Sequence, residues 1–371
     1  MNAPLAGITV LDFSTLLPGP LAGLMLAQAG AEVIKIERPG VGDEMRSYEP
    51  KLDADSVNFH LLNRGKRSLA IDLKAPGAAA RLQPLIARAD VLIEQFRPGV
   101  MAKLGLGPEQ VHAINPGIVY CSITGWGQTG PKSGTAAHDL NYMAETGLLA
   151  LTGDAAGAPV LPPILAADIA GGAMPAMINI LLALRDRDRH GRGAVLDIAM
   201  ADALFTFAYW ALGNGFHAGR WPRRSGDLVT GGSPRYNIYR TSDGAFLAAA
   251  PLEDKFWNLF CDLIDLDPQW RGEDADPAAA TGAVAGRIAT RSAADWETLF
   301  AGRDVCCSIV RTLEEAVGDP HFGARGLFSE GAEVLALPLP IAPAYRTGGG
   351  TRAPSLGEYQ LEPGGKGIDS C

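Results

Sequence analysis

Ile8-Thr9-Val10-Leu11-Asp12-Phe13, Pro18-Gly19-Pro20-Leu21-Ala22-Gly23-Leu24-Met25-Leu26-Ala27-Gln28-Ala29-Gly30 and Val33-Ile34-Lys35-Ile36 stand in that order near the start of the chain. The first run is short and apolar, as a strand buried on both faces requires. Pro18 and Pro20 sit where a helix can begin without losing a hydrogen bond, and Leu21, Leu24, Met25 and Ala29 recur at helical spacing. Gly30 ends the helix and the Val33–Ile36 run supplies a second strand. Strand, helix and strand within about 30 residues make a βαβ unit, and such units imply a parallel sheet covered on both faces.

The alternation continues outward. Strands are expected at Ser68–Leu73, Asp90–Phe96 and Gly117–Thr124, with a helix over Pro76–Ala89. A buried helix is expected over Gly171–Leu184, ending in the charged run Arg185–His190 and stopped by Gly191 and Gly193. A strand at Ala194–Met200 and an aromatic-rich helix, Ala203–Leu212, follow; Phe205, Phe207, Tyr209 and Trp210 read as packing residues. From His217 to Gly232 the texture changes to a Gly-, Arg- and Pro-rich loop. Beyond it lie strands at Tyr236–Arg240 and Ala245–Ala250 and a helix whose apolar stripe is Phe256, Leu259, Phe260, Leu263 and Ile264. The expected organisation is a large α/β domain over residues 1–200 completed by 330–371, a linker over 201–224, and a smaller α+β domain over 225–325. A chain of 371 residues is long enough for two domains, and the tail from Gly348 reads as extended.

Net charge of −9 argues against nucleic acid as a partner, while leaving room for local cations around a phosphate-bearing ligand. The longest apolar run, Ala173–Leu184, contains Pro175 and is short for a membrane span, and no basic segment precedes an apolar core at the start. Five cysteines (Cys121, Cys261, Cys306, Cys307 and Cys371) show neither disulfide-framework nor zinc spacing, so free thiols, no metal and a cytoplasmic location are expected. Cys371 does not form a prenylation motif.

Gly125-Trp126-Gly127-Gln128-Thr129-Gly130 matches the dinucleotide pattern GxGxxG after a strand. That pattern works only when a helix opens at the third glycine to meet the pyrophosphate. Pro131-Lys132-Ser133-Gly134 reads as a turn instead, so NAD is not expected.

Three segments carry candidate chemistry. His138 lies in Ala137-His138-Asp139-Leu140-Asn141-Tyr142. Asp168 lies in Ala166-Ala167-Asp168-Ile169-Ala170-Gly171-Gly172, where it could simply cap a helix for about 1 kcal/mol; burial among Ile164, Leu165 and Ile169 would instead raise its pKa, which suits a general base. Glu253 lies in Leu252-Glu253-Asp254-Lys255-Phe256-Trp257, where acidic residues also favour a helix start.

Taken with Leu5–Val10, Gly19-Pro20, Gly30–Pro39, Arg97-Pro98-Gly99, Thr124–Pro131 and Ala194–Asp197 with Met200, these segments resemble the class III CoA-transferase superfamily (CaiB/BaiF type). Within it, His138–Tyr142, Gly231-Gly232-Ser233-Pro234 before Tyr236 and Tyr239, and Glu253 with Phe256 and Trp257 resemble the alpha-methylacyl-CoA racemases. The chain departs from that pattern at Asp254, where proline is usual, and at Thr230, where aspartate is common.

The resemblance implies a Rossmann-like large domain, an interlocked homodimer, and epimerisation of the α-carbon of a 2-methylacyl-CoA thioester. Taking a proton from one face and returning one to the other needs two bases. The resemblance gives His138, paired with Glu253, to one face and Asp168 to the other, with a main-chain N–H near Asp168 for the enolate oxygen. It implies Arg38, Arg97 and Lys103 for the phosphates and ribose of CoA, Ile71 and Leu73 near adenine, and Asp139 and Tyr142 near pantetheine. Arg64, Lys66 and Arg67 are alternative cations. No cofactor beyond the CoA of the substrate is implied. The same Asp168 also supports a CoA-transferase, in which it would be acylated; a non-catalytic CoA-binding subunit is a third reading.

Overall fold

A computed structural model describes residues 3–153, 156–328, 336–347, 352–361 and 367–369. Cys371 and residues 348–351 of the expected extended tail lie outside the described residues. The chain divides into two compact units. Unit 1 comprises Met1–Thr146, Ile164–Phe207 and Leu327–Cys371; unit 2 comprises Gly147–Pro163 and Ala208–Gly326.

Unit 1 is built on a six-stranded sheet of β1 (Thr9–Asp12), β2 (Glu32–Glu37), β3 (Arg67–Ala70), β4 (Val91–Glu94), β5 (Val119–Thr124) and β6 (Val195–Ala199). Their spatial order is β3-β2-β1-β4-β5-β6 and every pairing is parallel. That is the doubly wound order, which reverses direction between β1 and β4 and opens a crevice at the carboxyl ends of the strands there. The opening βαβ unit is present as read: α1 (Pro18–Gln28) joins β1 to β2. All eleven residues of α1 are buried, as expected of a helix that is apolar on every side. On one sheet face, Leu11, Ile34, Leu69, Leu92 and Tyr120 pack with Leu82, Leu85 and Ile86 of α2 (Ala78–Arg88). Tyr359 joins the same core, and its hydroxyl accepts a 2.8 Å bond from Arg88.

After β5, no helix opens at Gly130: residues 131–134 form a turn and α3 begins only at Asp139 (Asp139–Glu145). A π-helical turn, Ala167–Ala173, runs into α4 (Met174–His190). The combined stretch Ala167–His190 has 24 residues and by length and composition alone could cross a membrane, longer than the sequence run suggested. One face, Ala176, Ile180, Ala183 and Leu184, is buried; the other is not. Ile178, Leu181 and Leu182 are exposed, which corrects the expectation of a fully buried helix. The aromatic helix also differs: it is broken into Met200–Leu204, a 3-10 segment Phe205–Ala208, and Tyr209–Ala218. Phe205, Phe207 and Tyr209 are exposed in the single chain rather than packed.

Unit 2 holds an antiparallel sheet in which β8 (Phe246–Ala249) lies between β7 (Asn237–Arg240) and β9 (Cys307–Ile309). Tyr239 and Leu247 share a core with Trp257 and Phe260 of α5 (Asp254–Leu263) and with Trp296 and Phe300. The buried face of α5 is Trp257, Phe260 and Cys261, continued by Ile264; of the stripe read from the sequence, Phe260 and Ile264 lie on it, Leu259 and Leu263 are partly buried beside it, and Phe256 lies outside this core.

Candidate active site

The carboxyl ends of β1, β4 and β5 surround a cavity of about 390 Å³ in unit 1. Leu16 and Pro18 reach it from the loop after β1, Gln95, Phe96 and Arg97 from the loop after β4, and Gly125 and Trp126 from the loop after β5; His138, Tyr142 and Asp168 complete the side that carries titratable groups. This is the switch-point position at which doubly wound sheets bind ligands.

The loop after β1 rests on a buried ionic network. Lys66 Nζ donates to Asp12 Oδ2 at 2.9 Å, to the carbonyl of Pro20 at 2.8 Å and to Asn63 Oδ1 at 3.0 Å. Lys35 Nζ donates to the Ser14 carbonyl at 2.8 Å and pairs with Asp43 Oδ2 at 2.8 Å. Asp43 Oδ1 accepts the Leu16 N–H at 3.1 Å, which holds Leu16 at the left-handed φ of 62°. Gln95 Oε1 accepts the Gly19 N–H at 3.1 Å and ties this loop to the one after β4. That second loop is anchored from below by Glu94, whose Oε2 accepts the Phe96 N–H at 2.8 Å; burial pushes the Glu94 carboxyl above its ordinary value. The charges of Lys66, Asp12, Lys35 and Asp43 persist this deeply buried because each is paired and hydrogen-bonded. Lys66 is therefore not available to a phosphate, whereas Arg67 pairs with Glu32 at 3.0 Å while part of its side chain stays exposed.

The loop after β5 is shaped by close approach. A Cβ on Gly125 would lie 2.2 Å from the Tyr142 hydroxyl, so only glycine lets Tyr142 cross here. Tyr142 is buried, stacks edge-on against Trp126 with ring centroids 5.0 Å apart, and donates its hydroxyl to the Ala137 carbonyl at 3.0 Å. Its hydroxyl thereby fixes the chain just before His138. His138 is exposed at the N-cap of α3, and its N–H donates to Asn141 Oδ1 at 3.0 Å.

Asp168 lies in the π-turn, a distortion that recurs at functional sites. Gly171 lets the turn press against Met200, since a Cβ there would come 2.4 Å from the Met200 carbonyl oxygen. The Asp168 carboxyl is pushed up to about 6 by burial first and by the charge of Asp139 second, with His138 pulling the other way. The apolar cover differs from the expected one, because Ile164 and Leu165 are exposed. The Asp168 N–H is also occupied: it donates to Asp139 Oδ2 at 2.9 Å. As it stands, the main-chain donor expected for an enolate oxygen is not the N–H of Asp168 itself.

The other expected residues scatter. Arg97 is exposed on the cavity wall, and Arg38 and Lys103 are exposed just past β2 and at the end of Val100–Lys103. Ile71 is buried in the sheet core, leaving Leu73, half-buried, as the more accessible of the pair. Asp139 is 5% exposed, with its carboxylate engaged as described. Glu253 belongs to unit 2, exposed at the N-cap of α5, beside an Asp254–Arg235 ion pair of 2.7 Å. Sequence reasoning missed Gln95 as a lining residue, its place directly after β4 being the available signal, and read Trp126 only as part of the glycine loop after β5. Among the described residues no cluster of His, Cys, Asp and Glu forms a metal site.

Residues 5–359 match CoA-transferase family III. The chain is 36% identical over 367 residues to alpha-methylacyl-CoA racemase of Mus musculus, covering 96% of this chain and 92% of that one. It is 33% identical to succinate–glutarate CoA-transferase of Agrobacterium fabrum, with 97% and 94% covered. The crystal structure of a CaiB/BaiF family protein from Brucella suis superposes with a TM-score of 0.82 at 30% identity, covering 96% of this chain and 97% of that chain.

Proposed function

This chain belongs to CoA-transferase family III, a family of enzymes that use CoA thioesters, and on that premise we propose that it epimerises the α-carbon of a 2-methylacyl-CoA by two-base proton transfer. The observation that carries this reading is that two groups able to exchange protons, His138 and Asp168, line one cavity, with the Asp168 carboxyl raised to about 6. A raised carboxyl is a stronger base toward a weakly acidic α-proton and a usable acid on the return. In the proposal His138 serves one face of the α-carbon and Asp168 the other, and their roles exchange with the direction of reaction.

The remaining parts go with this reading. Glu253 orients His138, supplied across an interlocked homodimer in which one protomer's 225–325 domain meets its partner's 1–200 domain, the latter completed by 330–371 and joined through 201–224. The exposed apolar residues Ile178, Leu181, Leu182, Phe205 and Phe207 support burial against a second copy. Arg38, Arg97 and Lys103 take the CoA phosphates and ribose, Leu73 and the Ile71 main chain the adenine, and Tyr142 with Asp139 borders the pantetheine. Neither a metal nor NAD takes part, and the free thiols go with a cytoplasmic location.

A second reading is favoured by the similarity to a CoA-transferase. There the Asp168 carboxylate attacks the thioester carbonyl, expelling CoA thiolate and forming an acyl anhydride. The thiolate then attacks the aspartyl carbonyl and releases the carboxylate, leaving aspartyl-CoA. Mass spectrometry of Asp168 peptides after incubation with acyl-CoA and an acceptor carboxylic acid separates the two. The racemase reading expects unmodified Asp168 and no CoA on the acceptor; an aspartyl-CoA adduct with transfer would overturn it.

A further inference from the structure

Asp139 follows His138 in sequence yet differs from it in environment. His138 and Asn141 are exposed, whereas Asp139 is 5% exposed, and its Oδ2 accepts the Asp168 N–H at 2.9 Å. The bond joins the start of α3 to the π-turn. Asp168 is the second residue of that turn, and N–H groups at a helix start have no partner within the helix. A carboxylate from elsewhere in the chain supplies the missing acceptor, in a charge-assisted bond stronger than a neutral one.

The charged environment of Asp168 is small. Asp139 and His138 act on it from the start of α3, and the phenol of Tyr142 stands one turn further on. The π-turn also packs against α1, the Met200–Leu204 helix, α4 and β6. α1 carries no charged residue, and the charges of α4 lie in the Arg185–His190 run at its far end. Asp202 is exposed, and Asp197 on β6 accepts the Gln128 N–H at 2.9 Å. Asp139 is thus the negative charge that directly opposes ionisation of Asp168.

We propose that Asp139 is a positioning residue for Asp168: its buried carboxylate fixes the π-turn through the Asp168 main chain and sets a negative charge beside the Asp168 carboxyl. Its catalytic consequence rests on the reading of Asp168 as a base; the coupling between the two carboxylates does not. This role is separate from a contact with pantetheine, because it runs through Asp139 Oδ2 and the Asp168 N–H.

The test uses full-length protein labelled with ¹³C at the aspartate side-chain carboxyls, with the Asp168 signal assigned by its loss in Asp168→Asn. Asp139→Asn keeps an acceptor oxygen and removes the charge, so the Asp168 titration midpoint is expected to fall by about one pH unit. The acid limb of α-proton exchange should move with it. Asp139→Ala removes the acceptor too, and is expected to lower kcat for exchange about tenfold or more while KM for 2-methylacyl-CoA stays within about threefold. An unmoved Asp168 midpoint in Asp139→Asn would overturn the proposal, as would a rise in KM with unchanged kcat in Asp139→Ala. Absence of exchange in the unaltered protein would instead remove the racemase reading and leave the titration readable.

Discussion

Asp168→Asn is expected to make the protein more stable at alkaline pH while abolishing its chemistry. The folded protein holds the Asp168 carboxyl at about 6 against an ordinary value of 3.8. Between those values the folded state keeps a proton that the unfolded chain has lost, so stability falls as pH rises through this window and the deficit is complete above it. At 1.36 kcal/mol per pH unit the full difference is about 3 kcal/mol. Because the side chain is only half-buried, solvent screening reduces the part that reaches stability to about 1.5 kcal/mol. An amide carries no charge for burial or Asp139 to oppose, so the variant recovers this amount. Thermal unfolding followed at about pH 8 should show a melting temperature about 3 °C higher than the parent, shrinking to about a third of that near pH 4.5. An equal gain at both pH values, or a loss at the higher one, would refute the reasoning.

Four other outcomes are expected. Deprotonation by Asp168 requires its ionised form, so exchange from the epimer it serves should fall as pH drops below about 6; return of a proton requires the acid, so the opposite epimer should lose rate as pH rises through that value, read from initial rates in each direction. Lys66→Ala removes the cation bonded to Asp12 in the core, leaving that carboxylate only Ser14 and the more distant Lys35 charge, and should cost about 3 kcal/mol by urea unfolding; a cost below about 1 kcal/mol would contradict this network. Gly171→Ala must displace the π-turn from the Met200 carbonyl and should lower both melting temperature, by about 1–3 kcal/mol equivalent, and kcat, with a soluble but unperturbed enzyme as the contrary result. Leu182→Glu, on the exposed apolar face of α4, should convert the proposed dimer to monomer in sedimentation velocity; an unchanged sedimentation coefficient would speak against that interface.

Much of unit 1 is legible in the chain because its signals are local. The Ile8–Ile36 βαβ unit, Gly30 as a helix stop and the turn after Gly130 follow from short-range pattern, and each is present. That His138 and Asp168 line a common cavity came through resemblance, since residues 30 positions apart give no local sign of meeting. What escaped reading depends on tertiary context. Lys66 looks like any surface cation until Asp12, Pro20 and Asn63 are seen around it. Ile164 and Leu165 look like a cover for Asp168, yet the strands and helices that desolvate it come from elsewhere. The π-turn is invisible because its sequence, Ala167–Ala173, also suits an ordinary helix, and the Gly171 contact with Met200 that goes with it is long-range. Phe205, Phe207 and Tyr209 read as core by composition, but a pattern of apolar residues does not say whether the surface that buries them belongs to the same chain.

The most direct measurement is deuterium uptake at C2 when the purified protein is incubated in D₂O with (2R)- and (2S)-2-methylacyl-CoA. The two-base reading predicts exchange with inversion from either epimer, lost by about 100-fold or more in His138→Ala and in Asp168→Ala. No exchange from either thioester, with CoA appearing on an added carboxylic acid, would contradict it and make Asp168 the nucleophile of a transferase.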